Sequence, residues 1–405
     1  MFSKKTLTLT IIYIGIYLLS TGVSAWGFGA FRQPISTPTS SLPGTSADGG
    51  KMVVDPGESK DKPCPISGEL FTKSEEVIWK NRRPVLAMVE NHVEARPQSG
   101  LGSADLIYEA LAEGGITRFM GVFYCKAVAG GNKIAPVRSA RIYFVNIAAE
   151  YNTPVYVHVG GGNCSRDQAS EQCTSNKKAW ALEELANMGW RKRGGNDFDT
   201  TLDTGYPALG RDYNRLGADK ILATEHTMIG FLPKIWDQAE KRGYGGINED
   251  GSIWESGFRL WKFRDDAKDS DRGSVNTINF DFWEGYKDFT AHWDYDKQSN
   301  SYLRSTGGQP HLDLETNKQL SAKNVVIQFA KEQGPLDEHK HMFYEVIGKG
   351  SALIFQDGNA IEVAWEKPNQ LSRTLFKDKK TGAEITFVRG STWIEVVPAG
   401  NAITY

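Results

Sequence analysis

Apolar runs of strand length follow one another along the chain after residue 80 and end in polar or glycine-rich segments. "RPVLAMVENH" predicts a buried strand over residues 84–89 that places Asn91 at its end. "DLIYEAL" and "ITRFMGVFY" predict two strands joined by a turn at residues 112–115. "PVYVHV" predicts another strand, which runs directly into three glycines at residues 160–162. These segments therefore predict a sheet whose strand ends carry the polar side chains.

Helical spacing of apolar residues occurs in three segments of the same region. In "RIYFVNIAAEY" the apolar side chains recur every four residues, which predicts a helix capped by Ser139. "KKAWALEELANMGW" and "HTMIGFLPKIWDQAEKRG" predict two more helices, the second weakened or kinked by Pro233. Helices alternating with strands predict an N-terminal α/β domain, a mixed sheet with helices, over residues 63–245.

After about residue 274 the pattern changes to short alternating strands. "VNTINFDFW", "AHWDYDKQSNSYLRS" and "KNVVIQFA" alternate apolar and polar residues. "ALIFQDGNAIEVAW" has an Asp-Gly turn between two strand runs, which is typical of a hairpin. The sequence therefore predicts a mainly β C-terminal domain over residues 246–405.

The N-terminus combines a targeting segment with a linker. Residues 1–31 hold the basic start "MFSKK" and a long uncharged run, so they are either a cleaved signal peptide or a single-pass membrane anchor. An anchor would leave Lys4 and Lys5 in the cytoplasm, whereas cleavage would give a secreted protein. Residues 32–62 are rich in Pro, Ser, Thr and Gly and predict a disordered linker. We expect a cell-membrane protein with one N-terminal pass and an extracytoplasmic bulk.

The four cysteines predict disulfides, because exported chains keep few free thiols. Cys164 and Cys173 lie nine positions apart in a polar loop, and we expect them to form a bridge. Pairing of Cys64 with Cys125 stays open. No CxxC pair is present, which disfavours a zinc site made of cysteines.

Charge limits the classes of ligand. The formal net charge of -2 over 405 residues argues against a nucleic-acid partner. Local positive charge nevertheless collects in "KIAPVRSARIYF", at a predicted helix start where the helix dipole disfavours it. If the strands before this segment and before the glycines are parallel, both turns meet at the sheet edge where α/β proteins bind ligands. We therefore predict an anion site made of Asn91, Arg118, Arg138, Ser139, Arg141, His158, Gly160, Gly161 and Gly162.

The same residues also fit a structural network in which the arginines pair with carboxylates. Asp105, Glu109 and Glu113 are the candidate partners; alternatively Asp105 and Glu109 are catalytic and hold Mg²⁺ against a phosphate. The "HLD" and "HKH" motifs further along are more typical of turns and solvated loops. Signatures of serine hydrolases, zinc proteases and Walker ATPases are absent from the sequence.

Several segments resemble the YerB-like bacterial envelope family. The N-terminal ones are "RPVLAMVENHVEARPQSGLGSADLIYEALAEGGITRFMGVFY", "IAPVRSARIYF" and "YVHVGG"; the C-terminal ones include "SYLRSTGGQPHLDLETNKQLSAKNVVIQF" and "GSTWIEVVP". The resemblance covers residues 80–398 and implies an exported, tethered protein with an α/β domain followed by a β-rich domain. Many members of this family are lipoproteins, whereas this chain lacks a lipid-accepting cysteine after its apolar segment. The resemblance implies no biochemical activity.

Two functions from different classes remain. The first is a non-enzymatic protein that needs no cofactor and binds an anionic envelope component or an envelope protein. The second is an Mg²⁺-dependent phosphotransferase or hydrolase acting on a pyrophosphate-linked envelope glycan, suggested by a looser similarity to LytR–CpsA–Psr phosphotransferases. In both, the cell membrane is a partner of the N-terminal segment.

Overall fold

One eleven-stranded sheet contains strands from both halves of the chain. The computed structural model describes residues 57–128, 133–163, 175–248 and 250–405. The α-helices of the described residues are α1 (Lys73–Lys80), α2 (Cys125–Val128), α3 (Ile142–Ala148), α4 (Ala181–Asn187) and α5 (Leu232–Lys241). All of them belong to the N-terminal half, and the helices predicted for that half are shorter than expected.

Strands outnumber helices in the N-terminal half as well. In chain order its strands are β1 (Lys62–Pro63), β2 (Leu70–Phe71), β3 (Val85–Glu90), β4 (Leu106–Glu113), β5 (Ile116–Phe123), β6 (Lys133–Ile134), β7 (Val155–His158), β8 (Asp197–Asp199), β9 (Leu209–Arg211) and β10 (Met228–Phe231). The prediction of an α/β half is therefore correct only in outline: short helices accompany a mixed sheet that dominates the fold.

The C-terminal half is mainly β, which confirms the prediction. Its strands are β11 (Lys262–Arg264), β12 (Thr277–Phe280), β13 (Ala291–Asp296), β14 (Ser301–Thr306), β15 (Gln309–Pro310), β16 (Ser321–Ala322), β17 (Asn324–Gln333), β18 (Phe343–Glu345), β19 (Gly348–Gln356), β20 (Asn359–Lys367), β21 (Leu375–Asp378), β22 (Thr386–Val388) and β23 (Thr392–Pro398). Strands β12 to β16 form a separate five-stranded antiparallel sheet.

The order of the central sheet is β21-β20-β19-β17-β23-β4-β5-β3-β7-β8, with β18 paired to β17. Strand β23 is parallel to both β17 and β4, so the last strand of the chain joins the two halves. Strand β3 is antiparallel to β5 and parallel to β7. Every residue of β3 is buried, as the continuous apolar run predicts for a strand covered on both faces.

Turn and cap chemistry explains where several elements begin. Thr72 caps α1: its side chain accepts from the Glu75 N–H and the Glu75 carboxylate accepts from the Thr72 N–H. Pro233 lies in the first turn of α5, where the missing N–H costs nothing. The helix predicted from residue 226 therefore starts later, and residues Met228–Phe231 form β10 instead. Pro233 marks the helix start rather than a kink.

The Cys64–Cys125 disulfide ties the N-terminal segment to α2. This is the pairing that the sequence left open. The favoured Cys164–Cys173 pair and the apolar N-terminal segment both lie outside the described residues. Of the helices that the structure describes, none is long and apolar enough to cross a membrane.

Candidate functional site

The segment around "RSAR" and the glycine turn after β7 lie side by side at one end of the central sheet. The Arg138 N–H donates to Met88 O over 2.9 Å and the Glu90 N–H donates to Pro136 O over 3.0 Å, so residues 136–138 run along β3. The Ala140 N–H donates to Gly160 O over 3.0 Å, which joins the two segments directly. The predicted proximity of the two segments is therefore present.

The reason given for that proximity was wrong. Because β5 is antiparallel to β3 while β7 is parallel to it, the strands β5 and β7 run in opposite directions. The two segments meet because extended backbone between β6 and α3 pairs with β3 on one side and with the glycine turn on the other. No alignment of parallel strand ends is involved.

Two of the three predicted arginines are buried and paired with one carboxylate. Arg118 Nη2 lies 2.6 Å from Glu113 Oε1, and Arg141 Nη2 lies 2.5 Å from Glu113 Oε2. Arg118 and Arg141 are 1% and 4% exposed. Burial alone would raise the pKa of Glu113, but the two guanidinium groups hold it well below its ordinary value. Arg118 and Arg141 therefore form a closed ion-pair network with Glu113.

Ser139 is not the cap of the following helix. The N-cap of α3 is Arg141, which has extended backbone and makes no side-chain capping bond. Ser139 lies two residues earlier, and its carbonyl accepts a 2.9 Å hydrogen bond from Arg118 Nη1. The serine contributes a backbone acceptor to the arginine network rather than a free hydroxyl at a helix start.

Arg138 differs from its neighbours because its side chain is 28% exposed. Its Nε lies 3.1 Å from Glu90 Oε1, an ion-pair distance without hydrogen-bond alignment. Glu90 in turn accepts a 2.8 Å hydrogen bond from His226 Nδ1. Arg138 is thus the predicted arginine that reaches solvent.

His158 is buried among acidic partners. Its Nε2 lies 2.6 Å from Asp197 Oδ1, and its Nδ1 lies 2.8 Å from Gly160 O. Burial lowers the pKa of His158, but Asp197 and Asp199 outweigh it and raise the pKa above its ordinary value. Arg191 Nη1 bonds both aspartates, 2.8 and 2.9 Å away. Both ring nitrogens of His158 are engaged, so it offers no free atom to a ligand.

Asn91 and Glu109 belong to a polar network in the interior. Asn91 Nδ2 donates to Thr117 Oγ1 over 2.7 Å, and Thr117 Oγ1 donates to Glu109 Oε1 over the same distance. The other Glu109 oxygen lies 2.5 Å from Nη2 of Arg304, which comes from the second sheet. His311 of the "HLD" motif joins this network by donating from Nε2 to Gln98 Oε1 over 2.8 Å. The network holds the two sheets together.

Asp105 lies at the other end of β4, beside the Cys64–Cys125 disulfide. It accepts from the Tyr124 N–H over 2.9 Å and from Ser67 Oγ over 3.1 Å. Burial raises the pKa of Asp105 to about 7. The eight residues of β4 span about 25 Å, so Asp105 does not face the arginines that pair with Glu113.

A groove of about 300 Å³ opens at this end of the sheet, opposite the arginine segment. Its floor is apolar and includes Leu101, Ile107, Leu320 and Trp393. Its polar side includes the hydroxyl residues Thr316, Ser321, Ser391 and Thr392 and the ammonium groups of Lys126 and Lys318. Asp313 also lines it, but its oxygens accept backbone N–H groups of Gly102, Glu315 and Thr316. Sequence analysis did not predict this groove.

A second, smaller cavity of about 220 Å³ shares Lys126 and Ser391 with the groove. It adds Lys323 and Arg389, each already paired with an aspartate. Among the described residues, neither Lys126 nor Lys318 makes a hydrogen bond or ion pair through Nζ. Lys318 is therefore an available cation of the region, and Lys126 is a second one whose charge also acts on the buried Asp105 carboxyl.

Sequence comparison identifies the family of the chain. Residues 68–215 match the N-terminal domain, and residues 278–394 the C-terminal domain, of a protein family of unknown function (DUF3048). The Bacillus subtilis (strain 168) protein described as "Putative lipoprotein YerB" is 30% identical over 343 residues, covering 85% of this chain and 88% of that protein. The chain belongs to the YerB-like family.

The fold agrees with a solved YerB structure. The crystal structure of YerB protein from Bacillus subtilis matches with a TM-score of 0.63 at 26% identity, covering 85% of this chain and all of that one. In this YerB-like chain the groove lies between the two matched domains. Leu101 and Lys126 come from the first match, and Lys318 and Trp393 from the second. Clefts between domains are common ligand sites.

Sequence reasoning named Glu113 among three possible carboxylate partners of the arginines, but it did not find the lysines of the groove in this YerB-like protein. Glu113 ends β4 immediately before a two-glycine turn, and Arg118 lies on the strand that returns from this turn, so the predicted hairpin itself keeps the two residues close. Nothing in the sequence indicated that Lys126 and Lys318 line one groove, because they lie 192 positions apart and come together only in the folded chain.

Proposed function

We propose that this YerB-like chain is a membrane-tethered extracytoplasmic protein that binds an anionic cell-envelope ligand in the interdomain groove. The proposal rests on one observation. Lys126 and Lys318 line the groove together with an apolar floor and several hydroxyl side chains. This combination suits an acidic or phosphorylated saccharide, because the lysines attract the charge and the floor packs against the ring faces.

The location outside the cytoplasm has three independent supports. The N-terminal sequence has the charged start and long apolar run of a targeting segment. The Cys64–Cys125 disulfide is typical of an oxidising compartment. The similar Bacillus subtilis protein is described as a lipoprotein, and such proteins are attached to the membrane surface. Since no cysteine closely follows the apolar run in this sequence, we propose that this run itself is the tether.

The arginine segment is a less suitable anion site than the groove. Arg118 and Arg141 already neutralise Glu113 and are buried, so an anion would have to displace a carboxylate. Glu113 balances one of these two positive charges, and backbone carbonyls also hold both guanidinium groups in the interior. Arg138 alone retains exposed surface there.

The enzyme hypothesis receives no specific support. Asp105 and Glu109 were its metal ligands, yet both side chains are fully buried and occupied by protein partners. We therefore propose binding without catalysis.

Titration of the full-length chain with teichoic-acid fragments, followed by isothermal calorimetry, tests the proposal. Lys126→Ala and Lys318→Ala should each weaken binding by about 1.5–3 kcal/mol, the value of a hydrogen bond to a charged group. Binding should also weaken as salt rises, because the lysines are close to solvent. Lys349→Ala is the matched control, since Lys349 is an exposed lysine on β19, away from the groove, and should leave binding unchanged.

The Arg138→Ala variant distinguishes ligand binding in the groove from ligand binding at the arginine segment. Weaker binding in this variant, with wild-type binding in both groove variants, would move the site to the arginine segment. No binding of phosphorylated or carboxylated envelope saccharides by the folded wild-type chain would overturn the anion-binding function altogether.

A further inference from the structure

Two short helical turns bring three potential metal ligands together beside Arg138. His92 and Glu94 belong to the turn that follows β3, where Val93–Ala95 forms a 3-10 helix. His226 ends a second 3-10 helix, Thr224–His226, just before β10. One ligand atom from each of the three residues lies within 4.8 Å of the others. His92 and His226 are 134 positions apart along the chain, so only folding brings the three residues together.

The separation of the ligand atoms suits a small divalent ion. Glu94 Oε2 lies 3.5 Å from His226 Nε2. Two ligands that each lie 2.0–2.2 Å from a tetrahedral zinc ion are about 3.4 Å apart. The rings of His92 and His226 are stacked, with centroids 5.0 Å apart and planes that differ by 15°. Because imidazole lone pairs lie in the ring planes, one of these near-parallel rings must rotate for both histidines to reach one ion.

A buried carboxylate sets the orientation of His226. Glu90 Oε2 accepts from His226 Nδ1 over 2.8 Å, which leaves the lone pair of Nε2 available on the side of Glu94. Glu90 is itself 3% exposed and is held by Arg138. A carboxylate on the far nitrogen of a ligating histidine is a common feature of metal sites, because it fixes the ring and strengthens the donor.

Other histidines of the described chain lack this arrangement. Both nitrogens of His158 are engaged by Asp197 and Gly160. His292 pairs with Asp294 on one strand, without a third ligand. Only the cluster at Arg138 combines two imidazoles and an exposed carboxylate, since the other group of candidate ligands in the described residues contains the Cys64–Cys125 disulfide.

We propose that His92, Glu94 and His226 bind one divalent transition-metal ion of the zinc class, with the remaining coordination position open to solvent. Two histidines and one glutamate are an established zinc ligand set. The side chain of Glu94 is 68% exposed, so the ion would be reachable from outside the protein. The inference is independent of the proposed function, because the groove lies at the opposite end of the sheet.

Equilibrium dialysis of the chelator-treated full-length chain against Zn²⁺ tests the proposal, with Co²⁺ absorption as a reporter of coordination geometry. The wild-type chain should take up one ion at this site and give the intense visible bands of four-coordinate Co²⁺. His92→Ala and His226→Ala should each lower the affinity at least tenfold. Glu90→Gln should lower it about 10–100-fold while the Co²⁺ bands keep their shape, as expected for a positioning residue.

His292→Ala is the matched control and should change neither the affinity nor the Co²⁺ spectrum. The half-exposed His92 can be removed without opening the core, so His92→Ala should keep the wild-type circular dichroism. Absence of Zn²⁺ uptake by the wild-type chain would overturn the proposal. So would wild-type affinity and stoichiometry in a folded His92→Ala, His226→Ala double variant.

Discussion

One buried arginine lies between two buried glutamates where the two sheets of this protein meet. Arg304 is fully buried between Glu109 and Glu395, with 2.5 and 3.7 Å between charged atoms. Burial and the neighbouring Glu109 raise the pKa of Glu395 well above its ordinary value, which favours its protonated form. Arg304 is therefore the cation that lies between two buried glutamates where the two sheets meet.

Removing that arginine should destabilise the protein strongly. Arg304→Met leaves Glu109 buried without a counter-charge, and we expect a loss of about 3–5 kcal/mol in the free energy of unfolding at pH 7. Lys379→Met is the control: it breaks the exposed Lys379–Glu362 pair and should cost only about 0–1 kcal/mol. Urea denaturation measures both variants. Equal losses of unfolding free energy in the two variants would show that Arg304 contributes no more to stability than an exposed ion pair does.

At the scale of the elements, turn geometry determines where the hairpins reverse. Strands β19 and β20 are joined by Asp357 and Gly358, whose φ angles are 51° and 68°. Both positive φ values are required by the tight turns that match the twist of a hairpin. A Cβ on Gly358 would lie 2.6 Å from the Tyr295 ring and 2.8 Å from Gly273 O. The turn is therefore restricted by packing as well as by backbone conformation.

Two glycine variants measure the backbone restriction and the packing restriction separately. Gly382→Ala has a similar φ of 70° but open space around its Cβ, so it should cost only about 1–2 kcal/mol for the left-handed backbone. Gly358→Ala should cost about 1–3 kcal/mol more, because the added methyl group also overpacks the turn. Thermal unfolding of the two variants gives the difference. Similar losses would mean that Tyr295 moves aside freely.

At the scale of the molecule, the last strand makes the two halves interdependent. Strand β23 lies between β17 of the C-terminal half and β4 of the N-terminal half. Its residue Val396 is fully buried and pairs with Ala110 on one side and Gln328 on the other. Neither half can complete its part of the sheet without this strand.

We therefore expect both halves to unfold in one transition. Native-state hydrogen exchange should give the same opening free energy for the slowest amides of β3 and of β20. Val396→Asp should lower both values together, because it places an unpaired charge in the shared sheet. Two separate opening free energies, or an effect of Val396→Asp on one half alone, would show that the halves fold independently.

Local chemistry along the chain was sufficient to predict much of the framework. The Asp-Gly turn of β19–β20, the two-glycine turn of β4–β5 and the mainly β C-terminal half all follow from turn residues and short-range alternation. The proximity of Arg138 to the glycine turn was also predicted from the sequence, though for the wrong reason. Such features are predictable because backbone preference and side-chain period act over a few residues.

Only the tertiary structure decided which groups share a site. Of the three carboxylates that the sequence offered, Glu113 is the one that pairs with Arg118 and Arg141, and the lysines of the groove come from different halves of the chain. His226 reaches Glu94 across 132 positions. The order and direction of the strands determine these distances, and an ion pair or a metal site depends on the last few ångströms between atoms. The sequence by itself therefore determined the elements and the class of protein, and the packing of the sheets determined the chemistry of each site.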